Sequence, residues 1–183
     1  MDRDNYTRVT DVLYPFSGLH KVPEHILKAA SERGTKVHDA CEGIMKGFYA
    51  NVDESIGGYI HSFKQWEDET IDTIFPDRFY CDDLKITGKC DCLIPQGSGF
   101  TLIDFKTSAR ESKSWVLQGS AYAYLASKYN YPITSIQFVK LSKEGRAPTV
   151  YTYEHNFPMF LKCLETYRFF FENQEQEIAL DYL

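Results

Sequence analysis

Between Gly88 and Lys106 the chain places three charged residues inside what otherwise reads as two apolar strands. Gly88-Lys89-Cys90-Asp91-Cys92-Leu93-Ile94-Pro95 leads into a Gly-containing turn, and Phe100-Thr101-Leu102-Ile103-Asp104-Phe105-Lys106 leaves it. Strand interiors disfavour charge, because an unpaired buried charge is costly or shifts its pKa. Asp91, Asp104 and Lys106 therefore need a common partner, and a divalent cation with a phosphate would be one. A structural Asp–Lys ion pair on an exposed sheet face accounts for the same spacing.

The register follows from the turn. With Gln96-Gly97-Ser98-Gly99 as a four-residue loop, Pro95 faces Phe100 and cross-strand numbers sum to about 195. Asp91 then faces Asp104, with Cβ atoms roughly 4.5–5.5 Å apart. Alternation sends Lys106 to the same side as Asp104, and Cys90, Cys92, Ile103 and Phe105 to the other face, into a core. A bulge would shift this register by one residue.

At 183 residues the chain suits one domain, spanning 1–183, with a sizeable core. Apolar residues make up 43%, which fits a globular fold and argues against disorder. The net charge of −6 gives no overall basic signal for nucleic acid, although a local groove with metal ions can bind phosphate on an acidic protein. No apolar run of about 18 residues and no signal-peptide profile is present, so the expectation is an intracellular, cytoplasmic protein without a membrane partner. The five cysteines (Cys41, Cys81, Cys90, Cys92, Cys163) lack a disulfide or zinc rhythm and read as buried or incidental thiols.

Periodicity predicts the element order. After a mixed segment to residue 22, an apolar rhythm from Ile26 to Phe48 predicts a helix starting at Pro23 and open to interruption at Gly34. A second helix is expected over 55–74, stopped near Pro76. Two or three strands follow between Arg78 and Lys106. Ser114 to Tyr129 reads as a helix with Ser114 as its N-cap. Strands are expected at Ile133–Leu141 and Thr149–Tyr153, then a closing helix from Pro158 to about 175. The order predicts an α/β domain around one mixed sheet flanked by helices.

Two carboxylates and an ammonium suit Mg²⁺ or Mn²⁺, which take a few carboxylates plus water and substrate phosphate. The residues around them resemble a known family. Gly88-Lys89-Cys90-Asp91 followed by Ile103-Asp104-Phe105-Lys106-Thr107 is similar to the PD-(D/E)XK nuclease core in its RecB-like exonuclease form, without the usual proline before the first Asp. Gln118-Gly119-Ser120-Ala121-Tyr122 resembles the family's QxxxY motif, and Gly34-Thr35-Lys36-Val37-His38 its GxxxH element. Val9-Thr10-Asp11-Val12-Leu13 resembles the lead-in of phage-type and mitochondrial-type members. The resemblance covers about residues 8–155.

The resemblance implies a restriction-endonuclease-like core and a Mg²⁺/Mn²⁺-dependent deoxyribonuclease, an exonuclease acting on DNA that is single-stranded or has free ends, with recombination or replication proteins as partners. It implies Asp91, Asp104, Lys106, Gln118 and Tyr122 as catalytic residues. His38, Asp91, Asp104 and the Phe105 carbonyl would be metal ligands. Glu42, one helical turn after His38, is a further candidate for metal or water. Gln118, Tyr122, Thr107, Ser108, Arg110 and Lys113 would meet substrate. Alternatives stay open at each position: a packed or surface histidine at 38, a polar helix stripe at 118 and 122, and solvated loop residues from 107 to 113. His20, His25, His61 and His155 lack ligand spacing. The four-cysteine cluster of some relatives is expected to be missing, since only Cys163 lies near the C-terminus. A structure-specific endonuclease and a non-catalytic nucleic-acid-binding domain are the competing functions.

Overall fold

The computed structural model describes residues 5–48, 52–68 and 71–172. Its centre is the hairpin. Strand β4 (Cys92–Gln96) pairs antiparallel with β5 (Gly99–Lys106), with Pro95 opposite Phe100 and Cys92 opposite Ile103. The expected register holds, but Gln96 and Gly99 pair as well, so the turn is two residues long, not four. Gly97, at φ +60°, takes the left-handed conformation that such a tight turn needs.

On its other side β5 pairs in parallel with β6 (Ile133–Lys140), which pairs antiparallel with β7 (Thr149–Tyr153). This gives a mixed four-stranded sheet in the order β4-β5-β6-β7. A second, three-stranded sheet joins β1 (Thr7–Arg8), β3 (Ile86–Gly88) and β2 (Phe79–Cys81) in the order β1-β3-β2. The chain is α/β with two mixed sheets, where sequence reasoning expected one. The two-residue β1 pairs with a strand about eighty positions away, and no local pattern announces that.

Because β5 has helices over both faces, it reads as a nearly continuous apolar run. Leu102 joins a core with Leu93, Trp115, Tyr122, Ile136 and Phe138, under α1 (Val9–Leu13), α4 (Ser114–Ser127) and α5 (Phe157–Tyr167). Ile103 and Phe105 join a second core with Val37, Cys41, Ile60, Phe63 and Val139, under α2 (Glu24–Met45) and α3 (Gly57–Lys64). Cys92 belongs to this second core as expected, but Cys90 lies in the first. The reason is that β4 begins only at Cys92; at Cys90 and Asp91 the chain bends, and strict alternation does not reach back across the bend.

Helix α2 runs its full 22 residues through Gly34 without a break. Helix α3 is shorter than the expected 55–74, because Gly57 to Lys64 alone is helical there and residues 69 and 70 lie outside those described. At α4 the N-cap is Lys113, and Ser114 is already helical; the Ser112 carbonyl accepts from the Trp115 amide at 3.0 Å. The closing helix ends at Tyr167 and continues as a π-turn over Arg168–Glu172, so the expected stretch to 175 runs past the described residues. No helix among the described residues is long and apolar enough to cross a membrane.

Candidate active site

Asp91 sits just outside the last pair of the β4–β5 ladder. Its amide donates to the Ile103 carbonyl at 3.1 Å, and its Oδ2 accepts from the Phe105 amide at 2.6 Å. The side chain thus takes the place of a strand carbonyl where the main chain turns away. Its other oxygen, Oδ1, lies 2.6 Å from His38 Nδ1, so α2 is tied to the hairpin at this point. Val37 and Cys41, on either side of His38 along α2, are fully buried and hold the helix in place.

Asp104 is 3% exposed and lies on the α4 side of β5. Lys106, two residues on, brings Nζ to 2.6 Å from Asp104 Oδ2. That contact is an ion pair without hydrogen-bond geometry, and the same buried Oδ2 receives no hydrogen bond. Lys106 Nζ donates instead to Gln118 Oε1 at 3.0 Å and lies over the Phe138 ring, 5.0 Å from its centroid. Gln118 Nε2 donates onward to the Tyr122 hydroxyl at 3.0 Å. The Tyr122 ring is wedged against Gly88, where an added Cβ would stand 2.5 Å from Cε1. The relay Asp104–Lys106–Gln118–Tyr122 is therefore held from behind by β3.

Charge distinguishes the two carboxylates. Burial works against ionised Asp91, but the charge and hydrogen bond of His38, the Phe105 amide and Lys106 outweigh it and hold its pKa below the ordinary range. Asp104 goes the other way: burial, reinforced by the charge of Asp91, raises it above the usual carboxylate value despite Lys106. For His38, burial would lower the pKa, yet Asp91 prevails and raises it. Burial and then the charge of Asp104 push the Tyr122 phenol up, so it stays protonated.

These directions fix the sign of a pH dependence. A raised folded pKa at His38 stabilises the fold fully below about pH 6.5, and that stabilisation fades as pH rises through the folded value. Asp104, also raised, adds destabilisation as it ionises. The Tm measured in EDTA is expected to fall as pH rises above about 6.5, and His38→Asn is expected to flatten that slope.

A cleft of about 430 Å³ opens over this network. His38, Lys106 and Gln118 form its polar floor, and Leu13, Tyr14, Leu27 and Trp115 much of its apolar wall. Thr107, Ser108 and Arg110 line the rim, whereas Lys113 is exposed outside the lining. Ser108 Oγ donates to the Arg110 carbonyl at 3.0 Å. Glu42 lies one turn beyond His38 and is held by Lys46 and by Lys89, the latter at 3.3 Å. His20, His25, His61 and His155 are all exposed. Cys41, Cys81, Cys90 and Cys92 are buried free thiols, and Cys163 is half-buried.

Among the described residues, no group of three or more His, Cys, Asp or Glu side chains is arranged to enclose a metal ion. The donors still fit a hard divalent cation of the Mg²⁺ type, which needs only one or two carboxylates beside water and phosphate. The observation that points to such a guest is a carboxylate, Asp104, buried near a second one, Asp91: burial and then that charge raise its pKa although Lys106 stands 2.6 Å away. Sequence reasoning missed the apolar wall and the neighbouring residues Arg33 and Lys140. Lys140 stands beside Lys106 in the parallel β5–β6 register, a signal that only the sheet order reveals. No family model matches the chain, and no curated protein matches it in sequence.

Proposed function

We propose that the protein is a metal-dependent deoxyribonuclease of the PD-(D/E)XK type with a restriction-endonuclease-like core, acting as an exonuclease on DNA. The observation that carries this reading is a pair of adjoining chains of contacts, His38–Asp91 and Asp104–Lys106–Gln118–Tyr122, joined where Asp91 accepts from the Phe105 amide. They draw on α2, the hairpin and α4, and His38, Lys106 and Gln118 carry them to the floor of a single cleft.

Asp91 and Asp104, with His38 and the Phe105 carbonyl beside them, would hold Mg²⁺ or Mn²⁺. When bound, that ion lowers the pKa of water and offsets phosphate charge. Lys106, fixed between Asp104 and Gln118, would present its ammonium to the attacking water and the phosphate. The Gln118 amide can point only one way, because its oxygen accepts from Lys106 and its nitrogen donates to Tyr122. The Tyr122 phenol keeps its own proton for donation. Thr107, Ser108 and Arg110 at the rim would meet the sugar-phosphate backbone.

The competing reading is a nucleic-acid-binding domain without catalysis, favoured by the fact that Asp91 and Asp104 already have His38 and Lys106 as partners. End-labelled single- and double-stranded DNA, linear and circular, separates the two. We expect Mg²⁺ or Mn²⁺ to support release of nucleotides from linear substrate, and EDTA to stop it. Cutting of covalently closed circles would make the protein an endonuclease. DNA retention in EDTA with no cleavage under either metal would establish the binding domain.

A further inference from the structure

Beside the cleft lies a second cavity of about 590 Å³, and its walls are cationic. Arg33 from α2, Lys140 from the end of β6, and Lys143 and Arg146 from the β6–β7 loop line it, with Ser142 and Thr149 between them. Among the described residues Glu144 is the only carboxylate in the wall, and it is held by Arg146 and Ser142. Arg33, Lys140 and Lys143 make no ion pair with any carboxylate among the described residues. Arg33 Nε is in addition a buried donor with no hydrogen-bond partner. On a chain of net charge −6, this concentration of unpaired cation is not a sampling of the general surface.

The wall is built, not a loose loop. Lys143 passes so close to α3 that a Cβ on Gly58 would stand 1.7 Å from the Lys143 carbonyl oxygen. Ser62 Oγ accepts from the Ser142 amide at 2.9 Å, and Gln65 Nε2 donates to the Gly145 carbonyl at 2.8 Å. Gly58 and Ser62 on α3, with Gln65 just past its end, thus hold the loop that carries Lys143 and Arg146.

The two cavities also share a boundary, since Arg33, Thr107 and Ser108 line both. Lys140 lies directly alongside Lys106 in the sheet, and neighbouring strands stand about 4.8 Å apart. A strand whose reacting phosphate sat at Lys106 would run into this second cavity with its next phosphates. We propose that the Arg33–Lys140–Lys143–Arg146 cavity binds an internal phosphodiester of the substrate strand, one or two nucleotides from the bond that is cut. The proposal rests on the nuclease reading above.

The test uses the 183-residue chain carrying Asp104→Asn, so that bound DNA survives, with fluorescein-labelled oligothymidylate in EDTA at several salt concentrations. Adding Lys143→Ala and Arg146→Ala is expected to weaken binding about tenfold. It should also flatten the slope of log K against log salt by up to about 0.7, the value for one neutralised phosphate of a single strand. Lys85→Ala with Lys128→Ala, which removes cations paired with Asp82 and Asp83, is expected to leave the slope unchanged. An oligonucleotide with a neutral methylphosphonate stepped along the strand should lose affinity at one or two adjacent positions, and only when Lys143 and Arg146 are present. Unaltered affinity and slope in the double variant, with wild type cleaving DNA, would overturn the pocket and leave the nuclease intact. The expected binding pattern without cleavage by wild type would uphold the pocket as a strand site and overturn the nuclease. No DNA binding at all would overturn both.

Discussion

Asp104→Asn is expected to lower metal-dependent cleavage by roughly a hundred- to a thousandfold, the scale seen when a charge-stabilising group is removed from a reaction centre. The same substitution is expected to raise the Tm by about 2–4 °C in EDTA at neutral pH, which corresponds to roughly 1 kcal/mol in a domain of this size. The two effects share a cause. Asp104 is 3% exposed, Lys106 is the one charge partner at its Oδ2 among the described residues, and its surroundings favour the neutral acid. Asparagine keeps the shape and removes the charge that burial and Asp91 oppose. Lys106 loses its ion partner but retains Gln118. Thermal melting beside a nuclease assay measures both quantities on one sample. Retained Mg²⁺-dependent cleavage would sink the enzymatic assignment, and a lowered Tm would show that the Lys106 ion pair outweighs desolvation.

Gly119→Val is expected to destabilise the fold by about 3 kcal/mol or more, the upper range for overpacking a core. Gly119 lies where α4 crosses β6. A Cβ there would stand 2.5 Å from Ile136 Cγ2 and 2.9 Å from Phe138 Cε2, and both of those residues are fully buried. Neither neighbour can yield, because Phe138 is itself stacked with Trp115 at 5.7 Å between centroids. The helix must back away, and it carries Gln118 and Tyr122. Urea unfolding is expected to show the loss as a lower midpoint, with activity falling alongside. By contrast Gly34, inside the GxxxH element, has only Thr107 Oγ1 within reach of an added Cβ, at 3.8 Å, so Gly34→Ala meets no comparable obstruction.

The hairpin was the most legible part of the chain because its information is local. Turn residues, alternation and register all lie within Gly88–Lys106, and Pro95 does face Phe100. Asp104 and Lys106 were placed together on the same grounds, and they are in contact. Asp91 was harder. The bend at Cys90 and Asp91 is not encoded by any period, and it sends Cys90 to the opposite core from Cys92. The i, i+4 pair Gln118 and Tyr122 was readable as one helix face, but its connection to Lys106 depends on how α4 crosses the sheet. The cationic cavity was not legible at all. Arg33 and the group Lys140, Lys143 and Arg146 lie about a hundred residues apart in the chain, and the packing of α2 and α3 on the sheet brings them together.

The use of the Asp91 carboxylate as a substitute strand carbonyl gives the two acids unequal value as probes. Changing Asp91 removes a prospective ligand, unpins α2 from the hairpin and strands the Phe105 amide, all in one step. Inactivity after that change would be ambiguous between lost chemistry and a loosened joint. The Asp104 side chain meets Lys106, which keeps Gln118 as a partner without it. The two positions mark the difference between a keystone and a tool, and only the tool can be taken away without bringing down the arch.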